Sequence, residues 1–144
     1  MTGTMTKAAL VVRRQIAASA EKLFDAWLDP ASLAEWMCPG DVQRSAAKTD
    51  PRIGGDFEII MHGKENSYVH TGTYRVIDRP RRLAFTWISE STNQAETLVT
   101  IDFLPGRGTT EIVITHECLP DDAAVRNHTG GWTRILELLA QMAE

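Results

Sequence analysis

The side chains best suited to acid–base or metal chemistry are His62, His70, His116 and His128, with Cys38, Cys118 and Tyr74. A protein zinc site needs three or four ligands converging from suitable positions. His116 and Cys118 are near neighbours, but nothing brings Cys38 to them, and no CxxC, HExxH or GxGxxG occurs. Neither a structural zinc nor a nucleotide is signalled, and no cofactor or metal is expected. Covalent catalysis needs a nucleophile with its base. There is no GxSxG, and the carboxylates mostly fall at turns, helix starts or outward strand positions, so no catalytic residue is assigned. His70 shares strand parity with Gly72 and Tyr74, which leaves a His70–Tyr74 general acid pair open. His62 alternates with Met61 and points outward. His116 ends a strand. His128 stands one turn before Trp132, where a loop carbonyl or the sheet is its expected partner.

These residues must be positioned by a long terminal helix and a run of strands. Over Asp121–Glu144, Val125, Thr129, Trp132, Leu136, Leu139 and Ala143 recur at steps of three and four and share one helical face, widened by Ile135, Leu138 and Met142. Gly130 and Gly131 interrupt this helix before Trp132, at a cost of about 1 kcal/mol each relative to alanine. The pair marks either a kink or close packing, or room for a cavity; the readings are compatible.

Between Arg52 and Glu117 the pattern is that of strands. Phe57, Ile59 and Met61 alternate with Glu58, Ile60 and His62. Tyr68–Ile77 follows, then Leu83, Phe85 and Trp87, then Val99, Ile101 and Phe103, then Ile112 and Ile114. Short turns or polar loops such as Gly63–Ser67 and Ser89–Ala95 separate them, so antiparallel pairing in sequence order is expected. Ala9–Ala17 reads as a first strand. Its parity points Val12 and Arg14 inward with Ile16, unless a twist or bulge returns Arg14 to solvent. Ser19 is a good N-cap for a short helix through Trp27. Asp29-Pro30 stops that helix and starts a second, Ala31–Met37, which Pro39-Gly40 ends. Asp41–Ala47 is a weak candidate for an edge strand. A long apolar helix and half-buried strands need each other, and a curved antiparallel sheet with the helix across its concave side satisfies both.

Composition bounds the partners. The 144 residues fit one domain, and 43% hydrophobic with 24% charged residues is ordinary for a globular chain. A net charge of −4 without a basic stripe argues against nucleic acid. No segment is long and apolar enough for a membrane span. Residues 1–7 read as a loose polar tail, with Met5 an alternative start and no signal peptide. Two isolated cysteines then suggest reduced thiols and a cytoplasmic location.

The order of elements resembles the helix-grip fold of the START-like, or birch-pollen-allergen-like, superfamily. More closely, the chain resembles the family named after the C-terminal domain of the heat-shock-protein-90 ATPase activator. The resemblance is carried by Arg14–Ala18, Leu23–Trp27 with Asp29-Pro30, Leu33 with Trp36 and Pro39, and Arg52–Phe57. It continues through Gly72–Tyr74, Arg82–Trp87, Thr109–Ile112 and His128–Trp132, and so covers nearly the whole chain. It implies an α+β domain over residues 1–144, with about six or seven strands wrapped around the terminal helix and two short helices after the first strand. Met37 and Cys38 stand where the family often has a tryptophan and a glycine, which changes the wall at the end of the second short helix. The separate N-terminal domain of the eukaryotic activator is missing from this sequence.

If helix and sheet enclose a pocket, parity selects its walls: Trp36, Met37, Phe57, Ile59, Met61, His70, Tyr74, Phe85, Trp87, Phe103, Ile114, Trp132 and Leu136. Core filling competes with this for most of them; Met61, His70, Trp87 and Trp132 are the better candidates. The first functional expectation is non-enzymatic binding of a small hydrophobic molecule, as a monomer or homodimer. The second, implied by the resemblance, is an interaction module acting on a chaperone ATPase in a stress response. The third is a cyclase- or hydrolase-like enzyme working through His70 or Tyr74.

Overall fold

The computed structural model describes residues 8–144; the tail read for residues 1–7 lies outside the described residues. Strand β1 (Ala8–Ile16) leads into helices α1 (Ala20–Leu28) and α2 (Pro30–Trp36). Strands β2 (Arg44–Thr49), β3 (Asp56–His62), β4 (Ser67–Asp78), β5 (Arg82–Trp87), β6 (Thr97–Pro105) and β7 (Thr110–Leu119) follow, then helix α3 (Asp122–Ala143). The first two helices start where the sequence supplies caps. Ser19 Oγ accepts from the Lys22 amide at 3.1 Å, and Asp29 Oδ1 accepts from the Ala31 amide at 3.1 Å, with Pro30 in the first turn.

The seven strands form one antiparallel sheet in the order β1-β7-β6-β5-β4-β3-β2. Neighbours from β2 to β7 pair in sequence order, and β1 closes against β7. The sheet bends at β4. Residues Ser67–Thr73 pair with β3, Tyr74–Asp78 pair with β5, and the register shifts between Tyr74 and Val76. Gly72 is required at the bend, because a Cβ there would lie 2.4 Å from the Phe57 ring and closer still to the Thr86 carbonyl oxygen.

Alternation buries Phe57, Ile59 and Met61, then Leu83, Phe85 and Trp87, then Val99, Ile101 and Phe103, then Ile112 and Ile114, against α1, α2 and α3. Each such side chain contributes about 1.5–3 kcal/mol through burial. The far end of α3 is fastened to the start of the chain. Glu144 Oε2 accepts from the Ala17 amide at 2.9 Å, and Lys22 Nζ donates to the Ala143 carbonyl at 2.9 Å, satisfying a terminal carbonyl that the helix leaves free.

Several expectations shift. The edge strand is Arg44–Thr49 rather than Asp41–Ala47, the last strand runs on to Leu119 and so encloses His116, and the Ser89–Ala95 loop contains a 3-10 turn at Glu90–Thr92. The buried face of α3 is Ala124, His128, Trp132, Ile135, Leu136, Leu139, Ala140 and Ala143. Val125 and Thr129 are half-buried beside it, and Met142 is exposed. The residues that decide the phase, Ala124 and His128, are small or polar and do not announce a core face. Arg14 pairs regularly with Ile112 yet is exposed. β1 forms the other edge of the sheet, and Arg14 reaches solvent there without a bulge at that point.

Candidate functional site

Gly130 and Gly131 neither break α3 nor bring another backbone into contact. The helix is continuous through them. A Cβ on Gly130 would meet nothing within 4 Å, and one on Gly131 would meet Pro39 Cβ at 3.6 Å, an ordinary contact. Beside them lies a cavity of about 730 Å³, within the range of about 300–1,000 Å³ that small-molecule sites occupy.

The sheet supplies Met61 from β3, Tyr68 and His70 from β4 and Trp87 from β5. The helix supplies Arg126, Asn127, His128, Gly130, Gly131, Trp132, Arg134 and Ile135. The segment after α2, Pro39–Val42, and Ser91 complete the wall. The interior is aromatic. The Trp87 and Trp132 rings are 5.2 Å apart, and His70 lies on Trp87 at 4.8 Å with the planes 37° apart. The rim is charged: Arg126, Arg134 and Asp41 are exposed, and Arg134 pairs with Glu137 at 3.2 Å.

Two further histidines meet under Trp132. His116 and His128 stack edge to face with ring centres 4.9 Å apart. The Trp132 indole donates to His116 Nδ1 at 3.0 Å, and His116 Nε2 faces Thr97 Oγ1 at 2.8 Å. His128 turns Nδ1 to the Ala124 carbonyl at 2.8 Å. Its partner is thus the preceding turn of its own helix, where a loop or the sheet was expected. A carbonyl only accepts, so Nδ1 carries the proton and Nε2 keeps its lone pair.

Burial holds these rings neutral. It pulls His116 down to about 3, with a smaller push from the nearby His128, and it pulls His70 down to about 4 against the opposing effect of the Ile59 and Tyr68 backbone; it lowers His128 as well. The cavity therefore offers neutral imidazole at ordinary pH. Among the described residues no group of histidine, cysteine and carboxylate side chains has the arrangement of a metal site. Cys38 and Cys118 are both free thiols, one buried and one exposed.

Of the residues that strand and helix parity selects, Met61, His70, Trp87 and Trp132 line the cavity. Met37, Phe57, Ile59, Tyr74 and Phe85 close instead around a void of about 10 Å³, room for roughly one water. Trp36, Phe103, Ile114 and Leu136 border neither space and fill the core. Tyr74 packs on Phe57 and Phe85, and burial pushes its hydroxyl up to about 12 with a further contribution from Asp50, so it does not join His70 at one site. Tyr68 shares the His70 face and its position was legible from parity. Arg126, Asn127, Ser91 and the Pro39–Val42 segment carried no periodic signal. The glycine pair was the one local sign that this stretch of helix borders open space.

A sequence profile of the family described as "Activator of Hsp90 ATPase homolog 1-like protein" matches residues 17–144. No curated protein matches the chain. Among solved structures, a protein from Chromobacterium violaceum superposes with a TM-score of 0.82 at 24% identity, covering 95% of this chain and 98% of its own. A protein from Rhodobacter sphaeroides gives 0.79 at 25% identity, with 94% and 89% covered. A structure titled as an HSP90 activator from Plasmodium falciparum gives 0.76 at 20% identity, with 93% and 94% covered.

Proposed function

Because the chain belongs to the activator of Hsp90 ATPase homolog 1-like family, a family defined by fold more than by one activity, we propose that its function resides in the cavity beneath α3, as the binding site of a small hydrophobic molecule. The observation that carries this reading is the space of about 730 Å³ between Trp87, Trp132 and the bare flank of Gly130. A recess of that size, aromatic at its base and polar at its rim, favours a mostly apolar guest whose outer end meets solvent. No bond-making step is part of the reading. A thermal-shift and NMR screen across lipids, aromatics and polyketide-like compounds tests it. Stabilisation by at least one class, with chemical-shift changes at Trp87 and Trp132, is the expected result; silence across all classes would remove the reading.

The second reading is a chaperone-associated module, supported by the family's description and by the likeness in fold to the Plasmodium falciparum protein. It predicts a change in ATPase turnover when saturating protein is added to a bacterial homologue of that chaperone. Unchanged turnover would eliminate it.

A further inference from the structure

We propose that the cavity takes a monoanionic amphipath: a carboxylic acid whose apolar body lies on Trp87 and Trp132 and whose carboxylate sits over Gly130, between Arg126 and Arg134. This deepens the reading of the cavity as a ligand site and rests on it. The order of residues along α3 carries the inference. Arg126, Gly130 and Arg134 follow one another at steps of four, and all three line the cavity. That spacing sets them in one row, with the glycine about 6 Å along the axis from each arginine. A Cβ on Gly130 would meet nothing within 4 Å, so no steric demand accounts for a residue that costs about 1 kcal/mol relative to alanine. The glycine leaves an open place at the mouth of the cavity, and an arginine one turn away on each side can close over it.

The charges of the lining agree. Its ionised side chains are Arg126, Arg134 and Asp41, while burial holds the lining histidines His70 and His128 neutral. Two guanidiniums against one carboxylate leave a single positive charge in excess, in a chain whose net charge is −4. That excess complements a monoanion. Asp41 does not occupy the place itself. Its carboxylate lies against the turn between β3 and β4, where a Cβ on Gly63 would meet its oxygens at 3.2 and 3.3 Å. Arg126 makes no ion pair among the described residues. Arg134 pairs with Glu137, but both side chains are more than two-fifths exposed, and such a surface pair is weak enough to exchange for a ligand. The planar fork of arginine matches a carboxylate with two parallel hydrogen bonds. Below the rim the Trp87 and Trp132 rings, 5.2 Å apart, offer only an apolar bed.

Calorimetric titrations of the whole chain at pH 7.5 with 2-naphthylacetate, its amide and 2-naphthylethylammonium test this, since the three share one apolar body and differ in charge. Expected is binding of the acid roughly tenfold tighter than the amide, with the ammonium weakest. Added salt should erode the advantage of the acid. Arg126→Gln and Arg134→Gln should each reduce it about threefold and together abolish it. Arg107→Gln, in the turn between β6 and β7, removes the same charge elsewhere and should leave it in place. Equal affinity for acid and amide would overturn the carboxylate assignment and leave the cavity reading intact. A preference that survives the double variant, or that falls equally in Arg107→Gln, would overturn the role of the two arginines. Tightest binding of the ammonium would overturn the proposal in favour of Asp41. Failure of all three to bind would overturn it as well, and the wider ligand screen then decides the cavity reading by itself.

Discussion

Trp132 on α3 donates its indole N–H to His116 Nδ1 on β7 at 3.0 Å, and this single bond sets the direction of the next two. With Nδ1 accepting, the His116 proton sits on Nε2 and is donated to Thr97 Oγ1 at 2.8 Å. Thr97 in turn donates to the Trp87 carbonyl at 2.5 Å. The terminal helix is thereby tied through β7 and β6 to β5, beneath the same tryptophans that wall the cavity.

Trp132→Phe keeps an aromatic ring but strands the His116 acceptor in a dry interior. A loss of about 1–3 kcal/mol in unfolding free energy is expected. Chemical denaturation measures it, and nitrogen NMR of His116 should show the Nε2–H tautomer retained through Thr97, with the Nδ1 signal shifted by loss of its donor.

Acid should loosen the fold through the same group. His116 is held down to about 3 and His70 to about 4 by burial, whereas an unfolded histidine titrates near 6.5. A depressed folded-state value means the unfolded chain takes up the proton first. The contribution is fully present above pH ~6.5 and is lost as pH falls from there toward the folded values. Unfolding titrations between pH 7.5 and 4.5 should show stability falling with pH, accompanied by proton uptake on unfolding. A pH-independent midpoint over this range would contradict the neutral buried imidazoles.

Gly130→Ala should stabilise the protein by up to about 1 kcal/mol, because helix propensity is gained and the new methyl meets open space. Gly130→Leu should retain the fold but occupy part of the cavity. Melting temperature at or above wild type, together with weakened binding of any ligand found, is the expected pair of results.

Gly72→Ala should do the opposite. The added carbon would lie 2.4 Å from the Phe57 ring and closer still to a backbone oxygen, so β4 would have to shift at its bend. A cost of about 3 kcal/mol or more, or failure to accumulate as soluble protein, is expected on the scale of overpacked interiors.

Much of the architecture was legible because it depends on short-range pattern. Phe57, Ile59 and Met61 alternate cleanly, and Ser19 and Asp29 cap the helices that follow them. The cavity was less so. Parity tells that His70 and Tyr74 share a face, but the bend at Gly72 separates their surroundings, and a bend is a property of the whole sheet. The binding of His116 to Trp132 and Thr97 joins residues distant in the chain, and no local spacing encodes it. Phe103 and Leu136 differ from Trp87 and Trp132 only in what happens to lie opposite them.

Helix α3 divides its labour along its length. Its last residues are fastened to Ala17 and Lys22, while the recess borders only the stretch from Arg126 to Ile135, which ends about 12 Å short of that fastening along the axis. Changing what the recess accommodates and keeping the molecule closed are therefore largely separate tasks, assigned to different turns of one helix. His128, Trp132 and Ile135 serve both, since they border the recess and belong to the buried face. A lineage of such chains can re-cut its recess at the exposed positions between them without unfastening the end.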